Sequence, residues 1–539
     1  MKTYSKILIT LLLTGSTYGC SNDMNEKVFS SVTEQSYKYT VKDFYPVIGS
    51  VYPPLRNLTG HGGFFCAQEV TADAIVMPPN ASGWDDGGIY RRMHYHTWNS
   101  EQAHVSDIWS WFYKGILLCN NVIDQIENDV VPAPSAAEKE QGLAEVRAAR
   151  AYYYWMVCDN FGDAPLVSTK SSDLPAKSAR LEIYNFIVSE LQEVISKLNE
   201  TQGGAMYGRM NKWAGKALLA NVYLNAEVYT GQPHYTEVIA QCDDIINSGK
   251  CALEPNYNAS FRAHGVESSK EVLFTVPFDK TLAGGQSIHM YSWHGELKKK
   301  FETEATPWGS GSAMGVSQFI DTYEAGDSRL EDTWLMGNQL AANGEQITGT
   351  YDQKGEPLIF TKDIPNASYT KEAEGYRMFK YEVEPGTTGG STTDIPLFRY
   401  AQVLLMKAEC LLRTNQPGAG ALVTQVRQRA FKDNPSKAAV TDDQLKGNSA
   451  YHYGYVENYT VSDPGNQAPV LYGRMLDELG WEFAWELTRR RDIIRFGVFT
   501  TKSWLSHKPQ GEYRTVFPIP ERVLTSNPNL VQNPNYTTN

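Results

Sequence analysis

Few side chains that could carry covalent chemistry stand at a spacing that would let them work. The 539-residue chain contains no H-E-x-x-H, G-x-S-x-G or Walker A pattern. Gly309, Ser310 and Gly311 begin a dinucleotide-like fingerprint, but Met314 stands where its last glycine belongs. A hydrolytic carboxylate pair must face across a sugar ring, so adjacent Asp85 and Asp86 read more simply as a turn. His94 and His96 would share one face of an extended segment and, with Glu101 or Asp107, could recruit a metal. With no third ligand at useful spacing they read as structural histidines. The cluster Arg489, Arg490, Arg491, Asp492 and Arg495 could hold an acidic sugar. Its neighbours Glu482 and Glu486 favour ion pairs within the helices. No cofactor and no metal are expected.

The tryptophans offer a different chemistry. Trp109, Trp111, Trp155, Trp213, Trp481 and Trp485 fall within helical patterns and read as core. Trp84 in SGWDDGG, Trp293 in MYSWHGE and Trp308 in ATPWGSGS lie in turn-like surroundings, where a large indole is harder to bury. Such rings either pin loops to the body or stack on the apolar C–H face of a sugar whose hydroxyls bond to nearby polar groups. In the second reading Trp84, Trp293 and Trp308 form one face. Asp85, Asn80, Tyr291, His294 and Arg377 then supply the hydrogen bonds.

The N-terminus has its own logic. Lys2 and Lys6 precede the apolar run Ile7 to Leu13, and small and polar residues follow, which is the build of an export signal over residues 1–19. That run is too short to span a bilayer, which takes ~20 apolar residues. Cys20 has two readings: an ordinary residue near a conventional cleavage site, or the lipidated first residue of a lipoprotein. The second is favoured, because a thiol suits alkylation by diacylglycerol. Several acyl chains, at ~0.8 kcal/mol for each buried CH2, would then anchor residues 20–539 durably.

Composition narrows the partners. A formal charge of −12 argues against nucleic acid, which needs clustered Lys and Arg. The content of 42% hydrophobic and 20% charged residues is that of a folded globular protein. Cys66, Cys119, Cys158, Cys242, Cys251 and Cys410 form no zinc pattern, and only Cys242 and Cys251 are close enough in sequence to suggest a disulfide.

Two helical stretches must position these residues. Amphipathic patterns such as SDIWSWFYKGILLCNNVIDQIE and NKWAGKALLANVYLNAEVYT dominate roughly 36–256, and they resume over 396–497. Ala214, Gly215, Ala217 and Ala220 would let helices approach closely, as in tetratricopeptide-like pairs. Between them, roughly 257–395 is rich in Gly, Ser, Thr and Asn with short strand-like runs such as EVLFTVPF. It reads as a loop-rich insertion, where binding residues tend to sit.

Four segments in order carry a family resemblance. AEVRAARAYYYWMVCDNFGDAPLV ends in Phe161, Gly162, Asp163, Pro165 and Leu166; PLFRYAQVLLMKAEC runs from Pro396 to Cys410; Arg-Arg-Asp-x-x-Arg-Phe-Gly ends at Gly497; and FPIPERVLTSNPNLVQNPNY closes the chain. Together, behind a lipoprotein signal, they resemble the SusD/RagB family of surface glycan-binding lipoproteins. The resemblance implies a mainly α fold, with four tetratricopeptide-like helix pairs supporting a loop-rich region with a few short strands. It implies a non-catalytic protein that captures oligosaccharide or polysaccharide at the outer membrane. It also implies a SusC-like, TonB-dependent transporter as partner. The rival readings are a peptide-binding member of the same family and a surface glycan hydrolase.

Overall fold

The computed structural model describes residues 37–60, 63–170 and 173–537. The export signal and Cys20 lie outside them. Nine principal helices carry the body: α1 (Ala103–Glu127), α2 (Ala136–Phe161), α3 (Arg180–Val194), α4 (Lys212–Leu224), α5 (Tyr235–Asn247), α6 (Tyr400–Arg413), α7 (Ala419–Arg427), α8 (Gly473–Phe483) and α9 (Arg489–Arg495). Successive helices pack on one another from α1 to α7, and α8 packs on α9. The strands are short and lie in small, separate sheets. This is the mainly α fold that the periodicity predicts.

Local chemistry explains the signature segments. The Ser135 hydroxyl accepts the Glu138 N–H to cap α2, and the Glu138 carboxylate accepts the Ser135 hydroxyl at 2.7 Å. Most of α2 is buried, because neighbours cover it on nearly every side. Gly115 of α1 lies against the Tyr153 ring, where a Cβ would come within 2.4 Å of it. At the C-terminal end of α2, Gly162 turns the chain with φ +67°, a region that favours glycine. Asp163 then accepts the Arg180 N–H at the start of α3. The Pro- and Asn-rich closing segment straps this corner: Phe517 N–H donates to the Asn160 carbonyl, and the Asn533 amide donates to the carbonyls of Phe161 and Phe517.

The insertion leaves the body through a closed neck. Strand β1 (Val272–Val276) pairs antiparallel with β2 (Ile395–Arg399), joining Val276 to Ile395. Helices α5 and α6, which flank the insertion in sequence, therefore pack directly on each other. Below the neck lies a buried charge network. Glu482 of α8 accepts from Arg429 at 2.5 Å, from Arg399 at 3.1 Å and from Arg329 at 3.3 Å. Glu271 accepts from Arg399 and Arg429, Glu486 from Arg399 and Lys380, and Asp327 from Arg329. Arg329 and Lys380 come from the insertion and the glutamates at 478, 482 and 486 from the body, so the network ties the two together.

The basic run of α9 is part of this interior. Arg489 pairs with Asp73 at 2.6 Å, Arg495 with Glu409 and Asp492, and Arg490 donates to the Thr515 carbonyl. It offers no surface for an acidic sugar. His94 and His96 are buried as well; a His96 ring nitrogen lies 2.7 Å from the Thr71 carbonyl, and its ring lies against Phe499 and His507. Burial drives the His94 pKa down to about 3, so this ring is neutral. Among the described residues no group of three or more His, Cys, Asp or Glu is arranged to hold a metal. Cys242 and Cys251 are both free and buried, which answers the question that their spacing left open. No helix among the described residues is long and apolar enough to cross a membrane.

Candidate functional site

The early loop and the insertion meet. Asn80 is 2% exposed, and its amide donates to the Gly311 carbonyl and the Ser312 hydroxyl. Its carbonyl accepts the backbone and hydroxyl of Ser82. Asn80 is thus a staple between two loops and has no capacity left for a ligand. Gly309, with φ +63°, sits so close to Ser82 that a Cβ there would come within 2.4 Å of the hydroxyl. The loop bearing Trp84 and the loop bearing Trp308 are held against each other.

Of the three turn tryptophans, one is exposed and one is half-buried against the core. Trp308 is 49% exposed and lies edge-on over Tyr291, with ring centroids 4.8 Å apart. Trp84 is half-buried, 5.0 Å from the ring of Tyr90. Tyr90 and Tyr291 form a buried floor between them. Burial pushes both phenols far above their usual range, and each also feels Asp86. Asp85 is partly exposed and accepts a bidentate pair from Arg91 at 2.9 and 2.6 Å. That fork fixes the carboxylate beside Trp84.

Five expected surface residues are interior, Asn80 and with it Trp293, Tyr291, Arg377 and His294, and their placement needs correction. Trp293 is 1% exposed: it stacks on Phe301 at 3.9 Å and donates its indole N–H to the Met378 carbonyl at 2.6 Å. A ring sandwiched in this way presents no face to a sugar. Tyr291 supports Trp308 from below. Arg377 is fully buried over the Phe360 ring and donates to the carbonyls of Glu372, Glu374 and Ser310, tying the 372–375 turn to the Trp308 loop. Burial lowers its pKa to about 9. His294, also buried, pairs with Glu372 at 3.0 Å. These groups position the platform from beneath.

The arrangement is an open aromatic surface with fixed polar groups at its edge, which suits stacking more than bond making. A cleft of 630 Å³ lined by the Gly- and Thr-rich residues 384–392 opens elsewhere on the insertion, and no tryptophan lines it. Sequence reasoning missed Tyr351, Tyr369 and Tyr459, which are exposed at 37%, 46% and 51%. Their signal was a tyrosine beside turn residues, in TYDQKG, NASYT and VENYT, the same context that singled out the tryptophans.

A model described as the SusD family matches residues 270–536, and one described as "Starch-binding associating with outer membrane" matches residues 69–224. The starch-binding protein SusD of Bacteroides thetaiotaomicron is 26% identical over 522 residues, covering 88% of this chain and 86% of its own. Among solved structures, B. fragilis NanU superposes with a TM-score of 0.71 at 20% identity, covering 94% of this chain and 99% of its own. Surface glycan-binding protein A from Bacteroides thetaiotaomicron, in complex with laminarihexaose, gives 0.68 at 18% identity, with 91% and 99% covered.

Proposed function

Because the chain belongs to the SusD family, we propose that it is a non-catalytic surface protein that captures a glycan by stacking it on Trp84 and Trp308. The observation that carries this reading is the exposed Trp308, fixed edge-on over Tyr291 and locked to the Trp84 loop. An exposed indole with a rigid backing offers contact area at little cost in ordering, which is what a weakly interacting, hydroxyl-rich ligand requires. Two of the similar proteins named above are binding proteins: one for starch, one solved with laminarihexaose.

The family resemblance supports a delivery role as part of the same proposal. Captured glycan passes to a SusC-like TonB-dependent transporter, and a lipid on Cys20 holds the protein at the outer face of the outer membrane. A test of the site is affinity electrophoresis through gels containing amylopectin or laminarin. Trp308→Ala should migrate freely where wild type is retarded. Equal retardation of both proteins would refute the site. Purified protein should release no reducing ends from a retained polysaccharide.

Cys20→Ala should leave a folded domain that fractionates as soluble protein. Retention of that variant in membranes lacking the transporter would refute the anchor. Co-purification of a large barrel from mild detergent tests the partnership.

A further inference from the structure

The exposed aromatic rings do not stop at Trp308. Of the seven aromatic side chains exposed among the described residues, four are Trp308, Tyr351, Tyr369 and Tyr459. They come from distant parts of the chain, yet one short segment, residues 369–374, organises the three tyrosines. Thr370 bridges to Asn80 of the Trp84 loop, which puts Tyr369 at that loop's border. Glu372, fully buried, accepts the N–H groups of Thr350, Tyr351 and Gln353, and so fixes the turn that presents Tyr351. Glu374 accepts the Tyr459 hydroxyl at 2.6 Å across a distance of 85 residues in sequence. Tyr459 itself sits at a hairpin tip with φ +67°, a backbone conformation that a bulky residue rarely takes without a reason.

The same segment joins back to the tryptophan platform. Glu372 also pairs with His294, whose ring lies 5.8 Å from that of Tyr351, and Gly295 donates to the Gly309 carbonyl beside Trp308. Trp308, Tyr351, Tyr369 and Tyr459 thus hang on one connected frame of hydrogen bonds, anchored on the buried Glu372. None of these rings is needed to fill the core, since each leaves more than a third of its surface in water. Rings held rigid yet left exposed lose little entropy when a ligand lies on them.

We propose that Tyr351, Tyr369 and Tyr459 are a second set of stacking positions, and that the ligand is a long polysaccharide chain running from the Trp84–Trp308 platform across them. This rests on the glycan-binding reading and adds to it the size of the ligand: a polymer is gripped at several rings, and a short oligosaccharide only at the tryptophans. The phenol hydroxyls, with Asp352 and Ser368 alongside, supply hydrogen bonds at the ring edges.

The test uses native gels containing laminarin, amylopectin, xylan or galactomannan, followed by calorimetry with the trisaccharide and hexasaccharide of whichever polymer retards wild type. The triple variant Tyr351→Ala, Tyr369→Ala, Tyr459→Ala should lose ten-fold or more in hexasaccharide or polymer affinity while binding the trisaccharide as wild type does. The triple Tyr→Phe variant, which keeps the rings, should retain most polymer binding and controls for folding together with thermal melts. If the alanine triple holds polymer as wild type does while Trp308→Ala releases it, the extended surface is refuted and the tryptophan site stands. Equal losses for trisaccharide and hexasaccharide would likewise refute it. If no polymer retards wild type, the glycan reading falls and this inference falls with it.

Discussion

Trp308 and Trp293 are fifteen residues apart and should respond to alanine in opposite ways. Trp308→Ala removes a half-exposed ring, so affinity for the retained glycan should fall several-fold, in keeping with ~1 kcal/mol for an aromatic contact, while the melting temperature hardly moves. Trp293→Ala empties a stacked, hydrogen-bonded interior site and should cost about 3–5 kcal/mol of stability. Calorimetry beside thermal melts separates the two, and a reversed pattern would overturn both assignments. The sequence made Trp308 legible because glycines and a proline surround it. Trp293 has a serine and a glycine close by, a weaker form of the same cue, but its partners Phe301 and the Met378 carbonyl lie 8 and 85 residues away, and contacts of that kind leave no local trace. Arg377 misled for a similar reason, since a buried arginine that satisfies carbonyls has the same letters around it as a surface one.

Among the elements, the helices were the most readable, because an apolar stripe at helical period must be buried somewhere. Their partners were not: that α5, ending at Asn247, packs on α6, beginning at Tyr400, follows only once β1 and β2 are seen to close the neck. The same packing settles the thiols. Cys66, Cys119, Cys158, Cys242, Cys251 and Cys410 are all free and buried, so a thiol reagent should label none of them in the native protein and all six after denaturation. A single fewer thiol in the denatured, non-reduced sample than in the reduced one would contradict the pairing state. The neck depends on its charges as much as on its strands. Glu482→Ala would leave Arg399, Arg429 and Arg329 buried with one partner fewer each and should cost about 3–5 kcal/mol, visible as a lower denaturant midpoint.

For the molecule as a whole, the buried carboxylates set two opposed responses to pH. Burial would raise the pKa of Glu482, but Arg429, Arg399 and Arg329 overcome it and hold it at about 2. Its contribution is present above the ordinary value of 4.5 and is lost as pH falls through about 2. Glu69 behaves in the other sense. Burial raises it to about 8, against the opposing Leu487 N–H and the charges of Lys380 and Arg489. The folded state therefore favours its protonated form, so its contribution is greatest below 4.5 and is lost as pH rises through 8. Glu69→Gln should flatten the stability profile between pH 5 and 8 while leaving the acid limb unchanged. Thermal melts across that range would show it, and an unaltered slope would mean that Glu69 is not the group responsible.

The closed neck also bears on how such a protein can change. With Val276 paired to Ile395, the two ends of the insertion are fixed side by side, and whatever length of chain lies between them leaves the helical register of the body alone. Loop length costs little free energy beyond this point. Residues 277–394 can therefore change in length without disturbing the helices, provided that they keep what seats them: Asp327, Arg329 and Lys380 to meet the glutamates of the body, and the loop contacts to Asn80 and Tyr459. Ligand preference is free to drift above the neck, while the plug that seats it cannot.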